Sequence, residues 1–292
     1  LRWRSHWPEE VWVLDGWRVV VVLPAYNAAS TLERTVAELD RNVVDWVLLV
    51  DDASTDETTE VASRLGLDIT RHERNSGYGA NQKTCYAAAL SAGADIVVMV
   101  HPDYQYSPRL VPAMAAMITS GHYDLVLGSR VLAQSPVRNG MPRYKYLSNR
   151  FLTVAENLLL GQRLSEYHTG LRAFSADLLR SLPIDACSDD FVFDNQVIVQ
   201  AVAAGARIGE VSCPTRYGHG ASSISFRRSV RYGFGVLATA GSYRLARWQL
   251  TRPAILAPTD PPRFRPPSTR ARREPGADSD RPGCNRGVQE PV

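Results

Sequence analysis

Trp46-Val47-Leu48-Leu49-Val50-Asp51-Asp52-Ala53-Ser54-Thr55-Asp56-Glu57-Thr58 decides the fold. A short apolar run ends in two carboxylates, and Ser54 with Glu57 three residues on reads as a capping box that opens a helix. The stretch is therefore strand, acidic turn, helix. Carboxylates at the carboxyl end of a parallel strand stand where open α/β sheets bind ligands, which points to a nucleotide-phosphate or metal site. A second stretch repeats the design: Ile96-Val97-Val98-Met99-Val100 runs into His101-Pro102-Asp103-Tyr104-Gln105-Tyr106.

Working outward, Val19 to Leu23 is a β-branched run suited to a strand covered on both faces, ended by Pro24-Ala25-Tyr26-Asn27. Ser30 with Glu33 predicts a capped helix whose buried stripe is Leu32, Val36 and Leu39. Leu67 to Arg71 reads as a short strand, and Asn75-Ser76-Gly77-Tyr78-Gly79 as a turn into a helix over Ala80 to Ala92. Ser107 and Pro108 start another helix, and Leu125 to Leu127 is a strand ending in Gly128-Ser129-Arg130. This alternation predicts an α/β fold: a doubly wound, mostly parallel sheet flanked by helices. Beyond Arg130 the spacing predicts a helix over Tyr146 to Leu160, with Leu147, Phe151, Val154 and Leu158 on one side. A helix over Phe191 to Ala204, a strand over Ile208 to Val211 and a C-terminal amphipathic helix over Phe226 to Trp248 follow.

The organisation expected is an N-terminal extension (1–18), one α/β domain (19–225), a basic amphipathic helix (226–250) and a disordered Pro/Arg-rich tail (251–292). That tail holds half of the 18 prolines, and its eight arginines against five acidic residues account for the whole net charge of +3. The body is neutral, so no nucleic-acid partner is expected. Four cysteines without a CxxC pair suggest neither zinc nor a disulfide framework and fit a reducing compartment. Leu1 to Arg18 lacks the apolar core of a signal peptide, and no run reaches the ~18 residues of a membrane span. A cytoplasmic protein is expected, at most peripheral on the inner face of the membrane. No acidic residue lies between Glu210 and Asp260, while seven arginines do. Either this helix meets an anionic membrane, or it docks on the domain with its arginines solvated.

Asp51 or Asp52 can accept from a base N–H or a ribose hydroxyl, the other capping the loop's backbone; Asp52 is slightly preferred as the ligand contact. Asp103 is the natural contact for a hard divalent cation or a diphosphate, with Gln105 as a further oxygen donor. His101 as a nitrogen ligand would favour Mn²⁺ over Mg²⁺, though a lone histidine is more often structural. Gly77 and Gly79 allow backbone N–H groups to approach a phosphate or base at a helix N-terminus. No glycine-rich fingerprint follows the first strand and no GxxxxGK[ST] occurs, which disfavours nicotinamide and P-loop chemistry.

Taken together, VVLPAYNAASTL, LLVDDASTDET, NSGYGANQKT, VMVHPDYQYSP, LVLGSR and HTGLRAFSADLL, in this order between Val19 and Leu179, resemble family-2 glycosyltransferases of the GT-A fold, notably the dolichyl-phosphate mannose and glucose synthases. The resemblance implies an inverting transfer of a hexose from a nucleotide-diphosphate sugar, UDP- or GDP-linked, with a divalent cation, Mn²⁺ or Mg²⁺. Pro24, Tyr26, Asn27, Asp51, Asp52, Gly77, Gly79 and Lys83 would then hold the donor. Asp103, with Gln105 and His101, would hold the metal, and Arg130 would meet a phosphate. His101 stands where such enzymes usually carry the first Asp of Asp-Ala-Asp, and Glu166 where the mannose synthases tend to have Asp. Asp194 falls at the acceptor face, as a general base for a hydroxyl acceptor; a polyprenyl phosphate, already ionised, would need none. A lipid-phosphate acceptor at the cytoplasmic membrane face is the leading expectation. A soluble saccharide acceptor and a catalytically weak nucleotide-sugar-binding protein are the alternatives.

Overall fold

A computed structural model describes residues 14, 16–132, 136–137, 140–214 and 226–257, without the side chains of 226–228. Most of the expected N-terminal extension, most of the tail and the loop 215–225 lie outside the described residues. Seven strands form one sheet: β1 (Val19–Ala25), β2 (Trp46–Asp51), β3 (Asp68–Arg71), β4 (Ile96–Met99), β5 (Leu125–Ser129), β6 (Arg172–Ser175) and β7 (Ile208–Ser212). Their order is β3-β2-β1-β4-β6-β5-β7. All neighbours are parallel except β6, which runs antiparallel between β4 and β5.

The helices are α1 (Ala29–Ala37), α2 (Thr58–Arg64), α3 (Tyr78–Ser91), α4 (Val111–Thr119), α5 (Arg143–Leu160), α6 (Ala176–Ser181), α7 (Phe193–Ala203) and α8 (Phe226–Arg247). Successive strand residues alternate between two cores, as the pleat requires. Val19, Val21 and Leu23 join Ile96, Val98 and the buried faces of α1, α2 and α4. Val20 and Val22 join Leu48, Val97, Met99 and the buried residues of α3, α6 and α7. This two-sided burial explains why β1, β2 and β4 read as unbroken apolar runs.

Three details depart from the expectation. Neither capping box forms: α1 begins at Ala29 behind Ala28, and α2 begins at Thr58 behind Glu57, with no side-chain cap on either. Instead the amides at the start of α1 are met from the next loop, Ala28 N–H donating to Thr58 Oγ1 (2.8 Å) and Ala29 N–H to Asp56 Oδ2 (3.1 Å). Ser54 spends its hydroxyl on the amide of Asn27 (2.8 Å). The strand β6 was not expected, because a fully buried Arg172 interrupts its apolar pattern. Finally, Ser107 and Pro108 open a 3₁₀ turn that leads into α4 only at Val111.

Candidate active site

Because β1, β2 and β4 are parallel, their carboxyl ends share one edge, with Ala25 directly opposite Asp51. Asn81 on α3 ties the two strand ends, its Nδ2 donating to Ala25 O (3.2 Å) and Val50 O (3.1 Å). Across the turns, Asn27 Oδ1 accepts from Thr55 N–H (2.9 Å). Tyr26, next to it, is 54% exposed just past the end of β1.

The adjacent aspartates are both buried and differ in what they hold. Asp52 accepts from the amides of Ser76 (2.8 Å) and Gly77 (3.0 Å), and its Oδ1 meets His72 Nδ1 (2.8 Å). Both of its oxygens are thus used to hold the 75–77 turn. Asp51 Oδ2 accepts from Ser54 N–H (3.1 Å) and faces Arg71 Nε (3.3 Å), while its buried Oδ1 has no hydrogen-bond partner among the described residues. An unpartnered buried carboxylate oxygen is costly unless something donates to it.

The two glycines face the chain itself. A Cβ at Gly77 (φ +104°) would stand 2.6 Å from Asp189 O, and one at Gly79 2.3 Å from Ser188 O. The Gly79 amide donates to Asp189 O (2.8 Å). Lys83 supports the same segment, bonding Cys187 O (2.6 Å) and Asp189 Oδ1 (2.8 Å).

His101 and Asp103 lie beyond β4. Burial pushes the His101 imidazole down, against the pull of Asp103 and Asp194, which favours its neutral form. Its Nε2 is bonded to the Tyr78 hydroxyl (2.9 Å), so only Nδ1 remains for a metal. Asp103 Oδ1 accepts from the Gln105 amide (3.1 Å), closing a local turn. No group of three or more His, Cys, Asp or Glu suited to a metal occurs among the described residues. The donors present, a carboxylate and an amide oxygen, fit a hard cation that takes most of its shell from phosphates and water.

Tyr78 leads on to Asp194 at the start of α7. Asp194 Oδ2 accepts from the Tyr78 hydroxyl (2.7 Å), and Oδ1 accepts from Gln82 Nε2 (2.9 Å) and lies 3.1 Å from Arg172 Nη1. Arg172 also donates to Thr169 O and Asp194 O (2.9 Å each). Tyr78, Gln82 and Arg172 went unread as site residues; the charge inside an apolar run at Leu171-Arg172-Ala173-Phe174 was the available signal for the last.

Arg130, at the end of β5, is held rather than extended. Its amide donates to Glu166 Oε2 and its Nε to Oε1 (2.8 Å each), and its Nη2 reaches Glu166 and His168 O. Burial alone would raise the Glu166 carboxyl, but Arg130 and Asn149 Nδ2 (2.7 Å) hold it below the ordinary range. His168 in turn lies between Tyr232 Oη on α8 (2.8 Å) and the buried Glu156 on α5 (3.1 Å). Among the sequence candidates, then, the first two aspartates, Tyr26 and Asn27 converge at one place, and His101 joins Asp194 through Tyr78.

A family model described as Glycosyl transferase family 2 matches residues 20–182. The UDP-N-acetylglucosamine–dolichyl-phosphate N-acetylglucosaminyltransferase of Methanococcus voltae is 27% identical over 216 residues, covering 68% of this chain and 86% of that protein. The undecaprenyl-phosphate mannosyltransferase of Micrococcus luteus is 28% identical over 201 residues, covering 66% and 82%. Among solved structures, glucosyl-3-phosphoglycerate synthase from Mycobacterium tuberculosis with UDP aligns with a TM-score of 0.63 at 22% identity, over 82% of this chain and 86% of that one. That enzyme has also been crystallised with Mn²⁺, UDP and phosphoglyceric acid, and with Mg²⁺ and UDP.

Proposed function

Because this chain belongs to glycosyl transferase family 2 and is a glycosyltransferase, we propose that it transfers a hexose, with inversion, from a nucleoside diphosphate sugar to a polyprenyl phosphate at the cytoplasmic membrane face. The observation that carries the acceptor is the state of Asp194. A general base must offer a lone pair to the acceptor's proton. Here Asp194 is already engaged, Oδ2 accepting from the Tyr78 hydroxyl and Oδ1 accepting from Gln82 and lying against Arg172, so a base role would have to compete with all three. A phosphate acceptor is anionic at pH 7 and needs no base. The names of the Methanococcus and Micrococcus relatives support the same acceptor class.

On the donor side, the unpartnered Oδ1 of Asp51 is the acceptor offered to a base N–H, and Tyr26 offers its ring for stacking. Pro24 and Asn27 shape this pocket, and Asp52, Gly77, Gly79 and Lys83 hold its far wall in place. Asp103, with Gln105 beside it, would hold the divalent cation, and His101 would add at most its Nδ1. When bound, that cation supplies charge neutralisation for the departing nucleoside diphosphate. Arg130, fixed by Glu166, presents its charge to the acceptor phosphate from the same edge.

The test is transfer of radiolabel from UDP-glucose, UDP-N-acetylglucosamine and GDP-mannose into an organic-extractable product with undecaprenyl phosphate, for wild type and Asp103→Asn. Label extracted by wild type alone supports the reading. A second reading, a soluble phosphate-bearing acceptor, draws on the phosphoglyceric acid complex of the structural neighbour. Label that appears only in a water-soluble product with 3-phosphoglycerate would replace the lipid acceptor by that one.

A further inference from the structure

We infer that the outward face of α5 and α8 is a docking surface for an anionic lipid bilayer. In α5 the usual polarity of a surface helix is reversed. Its inward residues include Asn149, Thr153 and Glu156, all buried, whereas Leu147, Phe151, Val154 and Leu158 point outward, 71%, 64%, 52% and 72% exposed. The expected apolar stripe thus exists and faces away from the core. Beside it α8 turns out Val230, Phe234 and Leu245, with the exposed Trp248 just past its end, while its buried side carries Val236, Ala240 and Tyr243. The helices pack together, with Gly233 against Leu152 and the Arg244 guanidinium reaching Leu158 O, so the two stripes adjoin. Single exposed apolar residues are ordinary; two adjoining rows of them mark an interaction surface.

Charge selects the occupant. The only acid of α5 is Glu156, which is buried, and α8 has none. Arg143, exposed and four residues before Leu147, continues the outward stripe of α5, and Arg231 is exposed next to Val230 on α8. A second copy would bring two acid-free basic faces together. The chain's own residues 251–292, with eight Arg and five acidic residues, meet the same repulsion. An anionic bilayer offers both an apolar interior and a negative surface, and Tyr144 and Trp248 are the amphipathic rings that settle at its headgroup level. No helix among the described residues is long and apolar enough to cross a membrane, so the pair would lie in the interface.

For its purpose the inference rests on the lipid-phosphate reading. The inward residues Asn149 and Glu156 hold Glu166 and His168, so the helix that meets the lipid also fixes the partners of Arg130. A polyprenyl chain lying in the bilayer would bring its phosphate to that guanidinium.

The experiment is flotation of the full chain with vesicles of phosphatidylcholine alone, or of equal parts phosphatidylcholine and phosphatidylglycerol, at low and high salt. Wild type should float with the mixed vesicles and lose most binding in high salt. Phe151→Glu/Phe234→Glu should lower the partition coefficient roughly a hundred-fold, and Arg143→Gln/Arg231→Gln roughly thirty-fold, with circular dichroism showing both variants folded. Wild type that stays unbound overturns the inference, as do folded variants that float like wild type. A dimer split by Phe151→Glu/Phe234→Glu, without flotation, would assign the face to a second copy and overturn it too. Transfer by wild type to a water-soluble short-chain prenyl phosphate separates the two readings. Turnover without flotation removes the docking surface alone, and flotation without turnover removes the acceptor reading alone.

Discussion

At the ends of β1 and β2 the loops are held mainly by side chains bonded to backbone: Ser54 to Asn27, Asn81 to Ala25 and Val50, Asp52 to Ser76 and Gly77. At the ends of β5 and β6, side chains hold one another, Arg130 on Glu166 and Arg172 on Asp194 as ion pairs, with His168 beside Glu156. The first arrangement also buries two carboxylates, Asp51 and Asp52, but meets them largely with backbone amides of its own turns. The second takes whole charges out of water and depends on each partner for compensation. The β1–β2 end, the proposed donor side, should therefore yield in small steps when its residues are changed, and the β5–β6 end, the proposed acceptor side, in large ones.

The strongest way to break this contrast is Arg130→Met. Glu166 would be left fully buried with its charge uncompensated, and loss of one partner from such a pair costs about 3–5 kcal/mol. Urea unfolding should read a fall of that size. The companion variant Glu166→Gln tests the sign of the pH dependence. Arg130 and the hydrogen bonds hold the native Glu166 carboxyl below its ordinary value of 4.5, so the unfolded chain binds the proton more readily. Its stabilisation is present above about pH 4.5 and is lost as pH falls through the lower native value. The acid limb of the stability curve should be steeper in wild type than in Glu166→Gln.

Next in size is Asp103→Asn, whose effect should fall on turnover alone. Among the described residues the Asp103 carboxylate is hydrogen-bonded within its own turn, to the Gln105 amide, so the melting temperature should stay within a few degrees. With the cation held less well, kcat should drop roughly a hundred-fold or more. Unchanged turnover over a range of Mn²⁺ concentrations would remove Asp103 from the metal site.

The proposed donor side was the legible one in its fold, for a physical reason. Its strands are buried on both faces, so they read as apolar runs, and the carboxylates that follow them stand at the strands' carboxyl ends. The helix starts misled because Asp56 and Thr58 reach across to the amides of α1, where local capping boxes were expected. The acceptor side rests on pairings between residues far apart in the chain, such as Tyr78 with Asp194 and Tyr232 with His168, which no local period encodes. Its strand β6 carries a buried arginine compensated by Asp194 and by the Thr169 carbonyl, so the strand cannot be read without those partners. The apolar spacing of α5 was plain, but which way the stripe faced was not.

Within the donor side, Asp52→Asn and Asp51→Asn should divide stability from binding. Asp52→Asn weakens two amide contacts made to a charged acceptor, a loss of about 2 kcal/mol in unfolding free energy. Asp51→Asn can place an amide donor where a base N–H should donate. Donor affinity should then fall roughly ten-fold with a smaller loss of stability. Donor affinity lost only in Asp52→Asn would return the base contact to Asp52.

Lys83→Met is the smallest effect and the sharpest check on how the glycine turn is used. If Lys83 met the donor diphosphate, its loss would raise the donor Kd well beyond ten-fold, since a cation facing a doubly charged group is being removed. The geometry spends the ammonium on Cys187 O and on Asp189, whose carboxylate is largely exposed. An ion pair so placed contributes little, about 1 kcal/mol or less. The 188–189 segment also remains tied to the turn through the Gly79 amide. Calorimetric titration should therefore find the donor Kd of Lys83→Met within about two-fold of wild type, because solvent screening leaves the lost pair little to contribute.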